Sequence, residues 1–177
     1  MNRRTVIILT TVALSCLAVA LAAGDAAAQQ KQHVSFKVPA ENAKYQQVHY
    51  IDIGDVPGHQ VRVFEIYRAF PSNAPLINGV KLKEMWNRGL SDYTDGSGPN
   101  NGYTVFVLES GDKFFARTTT LAQSTGAGKL TTAGAGPITG GSGKLAGIQG
   151  IIRTSGTAEP KAGIVETQYE IEYWLEK

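Results

Sequence analysis

A regular alternation of residue types near the C-terminus constrains the fold of this chain more than any other feature. Between residues 165 and 176, one set of alternate positions is apolar, aromatic or threonine, and the other is mostly glutamate. The first set is Val165, Thr167, Tyr169, Ile171, Tyr173 and Leu175, and the second is Glu166, Gln168, Glu170, Glu172 and Glu176. Successive side chains of a β-strand point to opposite faces, so this pattern predicts a long strand with one buried and one solvated face. Such a strand is typical of an antiparallel sheet or a barrel wall.

Shorter runs of β-branched and aromatic residues extend the same reading to the rest of the chain. Residues 103–108 and 113–119 flank Glu109-Ser110-Gly111-Asp112 and predict a hairpin. Further strands are predicted at 34–38, 48–53, 61–70, 80–86, 129–133 and 150–155. Only 41–47 and 142–146 suggest short helical turns, because no longer stretch after residue 28 keeps a helical apolar period. An all-β sandwich or closed barrel is therefore expected.

The N-terminal residues 1–28 have the layout of a cleavable secretory signal. Arg3 and Arg4 precede an apolar run from Val6 to Ala23, and small residues end at Ala28. A membrane anchor is the alternative, since the run just reaches spanning length. Its threonines and the alanine-rich site that follows favour cleavage. We expect one domain over residues 29–177, located in the periplasm or secreted, with no membrane insertion after cleavage.

Composition excludes several classes of function. Cys16 is the only cysteine and falls within the predicted signal, so the mature domain has no disulfide and no thiol chemistry. The chain carries 17 Lys and Arg against 15 Asp and Glu, with no basic stripe, so nucleic acid is not an expected partner. No cofactor is expected.

The block from Gly126 to Gly150 is rich in glycine, as phosphate-binding loops are. Gly143-Lys144 would need glycine at 138 and a hydroxyl residue at 145, but Ile138 and Leu145 stand there. We therefore interpret these glycines as supplying tight turns and positive φ angles where strands curl.

Within that block, Ile138-Thr-Gly-Gly-Ser-Gly-Lys-Leu-Ala-Gly-Ile-Gln-Gly150 resembles the glycine signature of allene oxide cyclase and dirigent barrels. The likeness covers residues 136–176. It implies a calycin-like antiparallel barrel of eight strands, whose interior binds a small, largely apolar molecule, and a homotrimer. Its relatives close a ring in an oxidised fatty acid or steer the coupling of phenoxy radicals.

The segment 49–68 has the highest density of histidine and carboxylate side chains, with His49, Asp52, Asp55, His59 and Glu65. Val56-Pro57-Gly58-His59 predicts a turn. A metal site from His49, Asp52, Asp55 and His59 is conceivable, but we favour turn-forming carboxylates and surface histidines, and so predict no metal.

Glu65 is the sharper candidate. It shares a face of its strand with Val61, Val63, Tyr67 and Ala69, whereas Arg62, Phe64, Ile66, Arg68 and Phe70 share the other. If the face with Glu65 points inward, burial makes its carboxylate a candidate acid or base, with His59 assisting. The alternative is an outward Glu65, or one neutralised by an arginine such as Arg117.

Four rings are the predicted ligand-binding residues, because each combines an apolar body with a polar tip: Tyr67, Trp86, Tyr93 and Tyr103. Two functions follow. The preferred one is non-catalytic binding of a small hydrophobic molecule, fatty-acid-like or phenolic. The alternative is an isomerase or cyclase that acts on an unsaturated or epoxidised lipid with Glu65 as acid or base.

Overall fold

Ten β-strands form almost the whole of the computed structural model, which describes residues 30–176. They are β1 (Gln32–Val38), β2 (Ala43–Asp52), β3 (His59–Ala69), β4 (Leu76–Ile77), β5 (Val80–Thr94), β6 (Gly98–Leu108), β7 (Lys113–Gly126), β8 (Lys129–Gly141), β9 (Ile148–Glu159) and β10 (Ile164–Leu175). Three 3₁₀ turns lie at Ala40–Asn42, Gly143–Leu145 and Pro160–Ala162. Every ladder is antiparallel, which confirms the predicted all-β class.

The strands belong to one sheet in the order β1-β10-β9-β8-β7-β6-β5-β3-β2, with β4 paired to β5. The predicted barrel of eight strands differs from this in strand number and in closure, since no ladder joins the end strands β1 and β2 within residues 30–176. β1 leaves β10 at Val38, opposite Thr167. Pro39, which has no amide hydrogen for a ladder, and the turn Ala40–Asn42 follow before β2 begins.

One half of the sheet's inward face is filled by hydrocarbon, and we call it the closed half. Its buried residues are Val38, Ile77, Leu82, Met85, Phe106, Leu108, Phe114, Ala116, Ile138, Leu145, Ile148, Ile152, Tyr169, Ile171 and Tyr173. The rings of Phe106 and Phe114 stack at its centre, with centroids 4.1 Å apart. Burial of this much apolar surface is the main source of stability for a domain without disulfides.

The other half, the open half, holds a smaller apolar cluster. It consists of Phe64, Ile66, Tyr93, Ala122, Leu130, Ala158 and Val165. The connections β2–β3, β5–β6, β7–β8 and β9–β10 lie at this end of the sheet, since Tyr93, Ala122, Leu130, Ala158 and Val165 of this cluster lie near the strand ends that they join.

Several local predictions are confirmed. The hairpin of β6 and β7 forms around residues 109–112, and β10 buries Val165, Thr167, Tyr169, Ile171 and Tyr173. The 3₁₀ turn Gly143–Leu145 lies within the predicted 142–146. The helical reading of 41–47 is wrong from Ala43 onward, because those residues pair with β3.

Glycines of the 126–150 block act in two ways. Gly126, Gly128, Gly140, Gly143, Gly147 and Gly150 have positive φ, as the turn interpretation expected. Gly136 instead lies within β8, where a Cβ atom would collide with the carbonyl oxygen of Arg117 on β7. The missing side chain lets the two strands approach closely, which allows the sheet to curl.

The predicted signal, residues 1–28 with Cys16, lies outside the described residues. Residues from Lys31 onward form one compact unit. Among residues 30–176, no helix is long and apolar enough to cross a membrane.

Candidate functional site

The inward face of β3 carries two arginines, and the candidate Glu65 lies on the other face. Arg62, Phe64, Ile66 and Arg68 are buried, and the intervening residues face outward. Arg62 is only 6% exposed and Arg68 only 3%. Arginine is almost never buried to this extent without a partner of opposite charge.

Arg62 lies against aromatic rings. Its Nε donates to Ser91 Oγ at 3.2 Å. Its guanidinium carbon is 4.9 Å from the centroid of Phe64 and 5.7 Å from that of Tyr93. These distances suit cation–π contacts, which offset part of the desolvation of the charge.

Arg68 is more poorly satisfied. Its Nη2 donates to Thr167 Oγ1 at 3.2 Å, and its guanidinium carbon is 5.9 Å from the ring centroid of Tyr169. Within residues 30–176, its buried Nε and Nη1 atoms have no hydrogen-bond partner. A buried donor without a partner is costly and unusual in a folded protein.

Both arginines line an inner cavity of about 100 Å³. Arg88 also contributes to the lining, but its side chain is paired with Glu65. The remaining polar lining consists mainly of hydroxyl and amide groups, from Asn87, Asn100, Thr104, Thr118, Thr120, Thr132, Thr154 and Thr167. Aromatic rings of Tyr45, Phe64, Tyr93 and Tyr169 also line it. The lining residues of the described part include no carboxylate and no imidazole, so the cavity is electropositive.

Tyr45 responds to this environment. Burial raises the pKa of its phenol, and the positive charges of Arg62 and Arg68 partly offset that rise. The phenol therefore stays protonated at neutral pH and offers the cavity a hydroxyl group.

A vestibule of about 330 Å³ adjoins the inner cavity at the hairpin end of the open half. The two share Arg62, Tyr93, Leu130 and Pro160 as lining residues. Arg62 lines both spaces and Arg68 lines only the inner cavity, so Arg68 lies farther from the vestibule than Arg62 does.

Glu65 lies on the outer face of β3 and does not line the inner cavity. Its Oε2 accepts a hydrogen bond from Arg88 Nε at 2.6 Å. The condition for its acid–base role, an inward side chain, is not met. The reason is parity: Phe64 and Ile66 take the buried positions, and a neighbour in sequence must then face outward.

Of the four predicted ligand-binding rings, only Tyr93 lines the cavity. Tyr67 and Trp86 pack against each other on the outer face with their rings tilted by 54° and their centroids 4.8 Å apart, and both donate to Glu84. Tyr103 is 58% exposed beside Arg117. These three rings lie on the same outer face as Glu65, because Tyr67 is two residues away on β3, Trp86 pairs with Tyr67, and Tyr103 pairs with Arg88, the partner of Glu65.

His59 bridges two carboxylates near the vestibule but lines neither space. Its Nδ1 lies 2.6 Å from Asp55 Oδ1, and its Nε2 lies 2.7 Å from Asp92 Oδ1. Hydrogen bonds with Asp92 and Asp55 raise the pKa of His59, and the bond from His59 lowers the pKa of Asp55. When the imidazole is protonated, it donates to both carboxylates and so links the β2–β3 loop to β5.

The conceivable metal cluster of residues 49–59 is not assembled. Asp52 accepts a hydrogen bond from Gln60, and His59 is engaged with Asp55 and Asp92. Across residues 30–176, no three ligating side chains are grouped to hold a metal ion. The turn at Val56-Pro57-Gly58-His59 does form, with the amide of His59 donating to the carbonyl of Val56.

Sequence reasoning missed Arg62, Arg68 and the threonines of the cavity. Arg62 and Arg68 share a strand face with the large apolar side chains Phe64 and Ile66, which was a signal for them, although it did not fix which face is buried. The chain was also compared with known proteins: no protein-family model matches it, and no curated protein does.

Proposed function

We propose that this chain is an exported, non-catalytic binding protein that holds a small hydrophobic molecule, fatty-acid-like or phenolic, inside its curled sheet. One observation carries the proposal. The same inward face that is filled with hydrocarbon in the closed half encloses a cavity in the open half. Protein interiors are normally packed without such voids, so a polar cavity that opens to the surface indicates a ligand site.

The size of the two spaces supports a ligand that extends through both. Ligand pockets commonly measure about 300–1,000 Å³. The inner cavity, at about 100 Å³, is too small for a whole ligand of this kind, whereas the vestibule, at about 330 Å³, reaches that range. We infer that one end of the ligand occupies the inner cavity and the rest lies in the vestibule, against Tyr50, Tyr93 and Leu130.

The lining favours binding over acid–base catalysis. A general base must come within hydrogen-bond reach of the proton that it removes. Glu65 and His59 do not line the cavity, and its titratable residues within the described part are arginines and tyrosines. An isomerase that uses Glu65 is therefore the weaker proposal.

The family relationship and the export belong to the same proposal. The segment 138–150 that resembles the cyclase and dirigent signature runs from the end of β8 through a 3₁₀ turn into β9. It thus links consecutive strands, as the resemblance implies, which supports a calycin-like barrel with an unpaired seam between β1 and β2. Export rests on residues 1–28, and the homotrimer on the resemblance; the molecular mass of the protein in solution tests the latter.

Titration calorimetry on the purified protein tests the binding proposal with four probes: octanoate, octanol, hydrocinnamate and hydrocinnamyl alcohol. We expect saturable binding of at least one probe at one site per chain. Thr132→Phe fills the inner cavity and should abolish that binding. Thr131→Phe is the matched control, because Thr131 is exposed on the opposite face of β8. No binding of any probe, or binding that survives Thr132→Phe, would overturn the proposal.

A further inference from the structure

We propose that the ligand carries a carboxylate, and that this group enters first and binds Arg68 at the inner end of the cavity. The inference rests on the proposed function, because it assumes that the cavity is the ligand site. It adds the chemical class of the ligand and its orientation, with the charged end inside and the apolar body toward the vestibule.

Arg68 makes fewer hydrogen bonds than a buried guanidinium group needs. The side chain is 3% exposed, and two of its three nitrogens, Nε and Nη1, lack a hydrogen-bond partner among residues 30–176. Thr167 satisfies only Nη2. A guanidinium group keeps its charge at every ordinary pH, so its N–H groups still need hydrogen-bond acceptors.

The two buried arginines of the cavity have no carboxylate beside them among the lining residues of the described part. Buried cations in proteins are normally paired with an anion. Arg62 and Arg68 both face the cavity, yet no aspartate or glutamate of the described residues lines it. The aromatic contact with Tyr169 at 5.9 Å is long and does not replace an anion. The cavity therefore has an excess of positive charge that an anionic ligand would neutralise.

The chemistry and size of the site determine the type of anion. Guanidinium groups match planar carboxylates in geometry and bind them through short, charge-assisted hydrogen bonds. The inner cavity, at about 100 Å³, accepts a compact group. Hydroxyl groups of Thr104, Thr154 and Thr167 line the same space and can donate to the remaining lone pairs of a carboxylate.

The positions of Arg68 and Arg62 determine the orientation of the ligand. The guanidinium carbon of Arg68 is 5.9 Å from the ring centroid of Tyr169, which belongs to the packed cluster of the closed half, so Arg68 lies at the closed-half end of the cavity. Arg62 lies nearer the vestibule and lines both spaces. A carboxylate at Arg68 thus places the rest of the molecule beside the rings of Tyr45, Phe64 and Tyr93, and then in the vestibule.

The test compares hydrocinnamate with hydrocinnamyl alcohol, which differ only in the carboxylate. We expect the wild-type protein to bind hydrocinnamate about 10- to 100-fold more tightly, as charge-assisted hydrogen bonds would give. Arg68→Met should abolish this preference, and a cooperative unfolding transition like that of the wild-type protein shows that the variant folds. Arg153→Met is the matched control, because Arg153 is exposed on the outer face of β9, and it should keep the preference.

Equal affinity for the two probes would overturn the carboxylate assignment while leaving the binding function intact. It would mean that water, and not the ligand, accepts the hydrogen bonds of Arg68. Displacement of hydrocinnamate by inorganic phosphate at similar concentration would also overturn it, in favour of an inorganic anion. Should Arg68→Met fail to fold, Thr167→Val is the second variant: it removes a hydroxyl group that can donate to the carboxylate, and it should reduce the preference for hydrocinnamate over the alcohol. Failure of both probes and of octanoate and octanol would remove the proposed function itself.

Discussion

The closed half and the open half of the interior share strands β5 to β10, yet they are built from different side chains. In the closed half, these strands bury Met85, Phe106, Phe114 and Ile152 against one another. In the open half, the same strands present threonine, asparagine and glycine to two arginines on β3. The difference indicates a division of labour, in which one half supplies stability and the other gives up stability to keep a charged cavity.

The largest expected effect is in the closed half, from Phe106→Ala. Phe106 is fully buried and stacks on Phe114, so its truncation leaves a cavity and should lower the free energy of unfolding by about 3–5 kcal/mol. Denaturant titration measures this. Tyr103→Ala on the outer face of the same strand is the control and should change stability by less than about 1 kcal/mol. Similar losses for both variants would mean that the closed half is not the stabilising core.

The open half should respond in the opposite direction. Arg68→Met replaces a buried, incompletely bonded charge by an apolar side chain of similar length, so we expect the unfolding free energy to rise by about 1–3 kcal/mol without ligand. Thermal and denaturant unfolding of the ligand-free protein measure it. A loss of stability greater than about 1 kcal/mol would show that Arg68 is paired within the fold and would erase the contrast between the halves.

The contrast also explains what the sequence could predict. In β10 all the charged side chains fall on one face, so parity alone identifies the buried side, and the structure agrees. In β3 both faces mix apolar and charged residues: Val61 and Val63 accompany Glu65, while Phe64 and Ile66 accompany the arginines. Local pattern cannot decide between two such faces. The decision depends on which face meets the rest of the sheet, which is tertiary information.

Strand length was underestimated for a related reason. β6 begins at Gly98 instead of at residue 103 and includes Asn100 and Gly102, and β7 continues past residue 119 through Thr120; the side chains of these residues are too small or too polar to give an apolar signal. They remain in the sheet because the inward face there borders a polar cavity. The residues that make the site were therefore the same residues that hid the strands from a search for hydrophobic alternation.

A third prediction tests whether the rim of the open half depends on pH. Since the pKa of His59 is raised above its usual 6.5, its contribution is complete below pH 6.5 and is lost as pH rises through the raised value. Since the pKa of Asp55 is lowered below 3.8, its contribution is complete above pH 3.8 and is lost as pH falls through the lowered value. The loop should thus be held most firmly in mildly acidic solution.

Hydrogen exchange of two amides measures how firmly the loop is held. The Val56 amide donates to Asp55, and the His59 amide donates to the carbonyl of Val56. After correction for intrinsic rates, protection should fall as pH rises through the raised pKa of His59. His59→Gln should remove that dependence. His49→Gln on exposed β2 is the control and should retain it. Protection that is independent of pH in the wild-type protein would contradict the bridge between Asp55 and Asp92.

The smallest effect is expected on the outer face, from Trp86→Ala. Trp86 contacts Tyr67 and Glu84 and does not line the cavity, so the affinity for hydrocinnamate should stay within about twofold of wild type. Tyr93→Ala is the paired inward variant on the same strand and should weaken binding clearly, because Tyr93 lines both the inner cavity and the vestibule. If Trp86→Ala weakened binding as much as Tyr93→Ala, the ligand would lie on the outer face, and the unfilled open half would need another explanation.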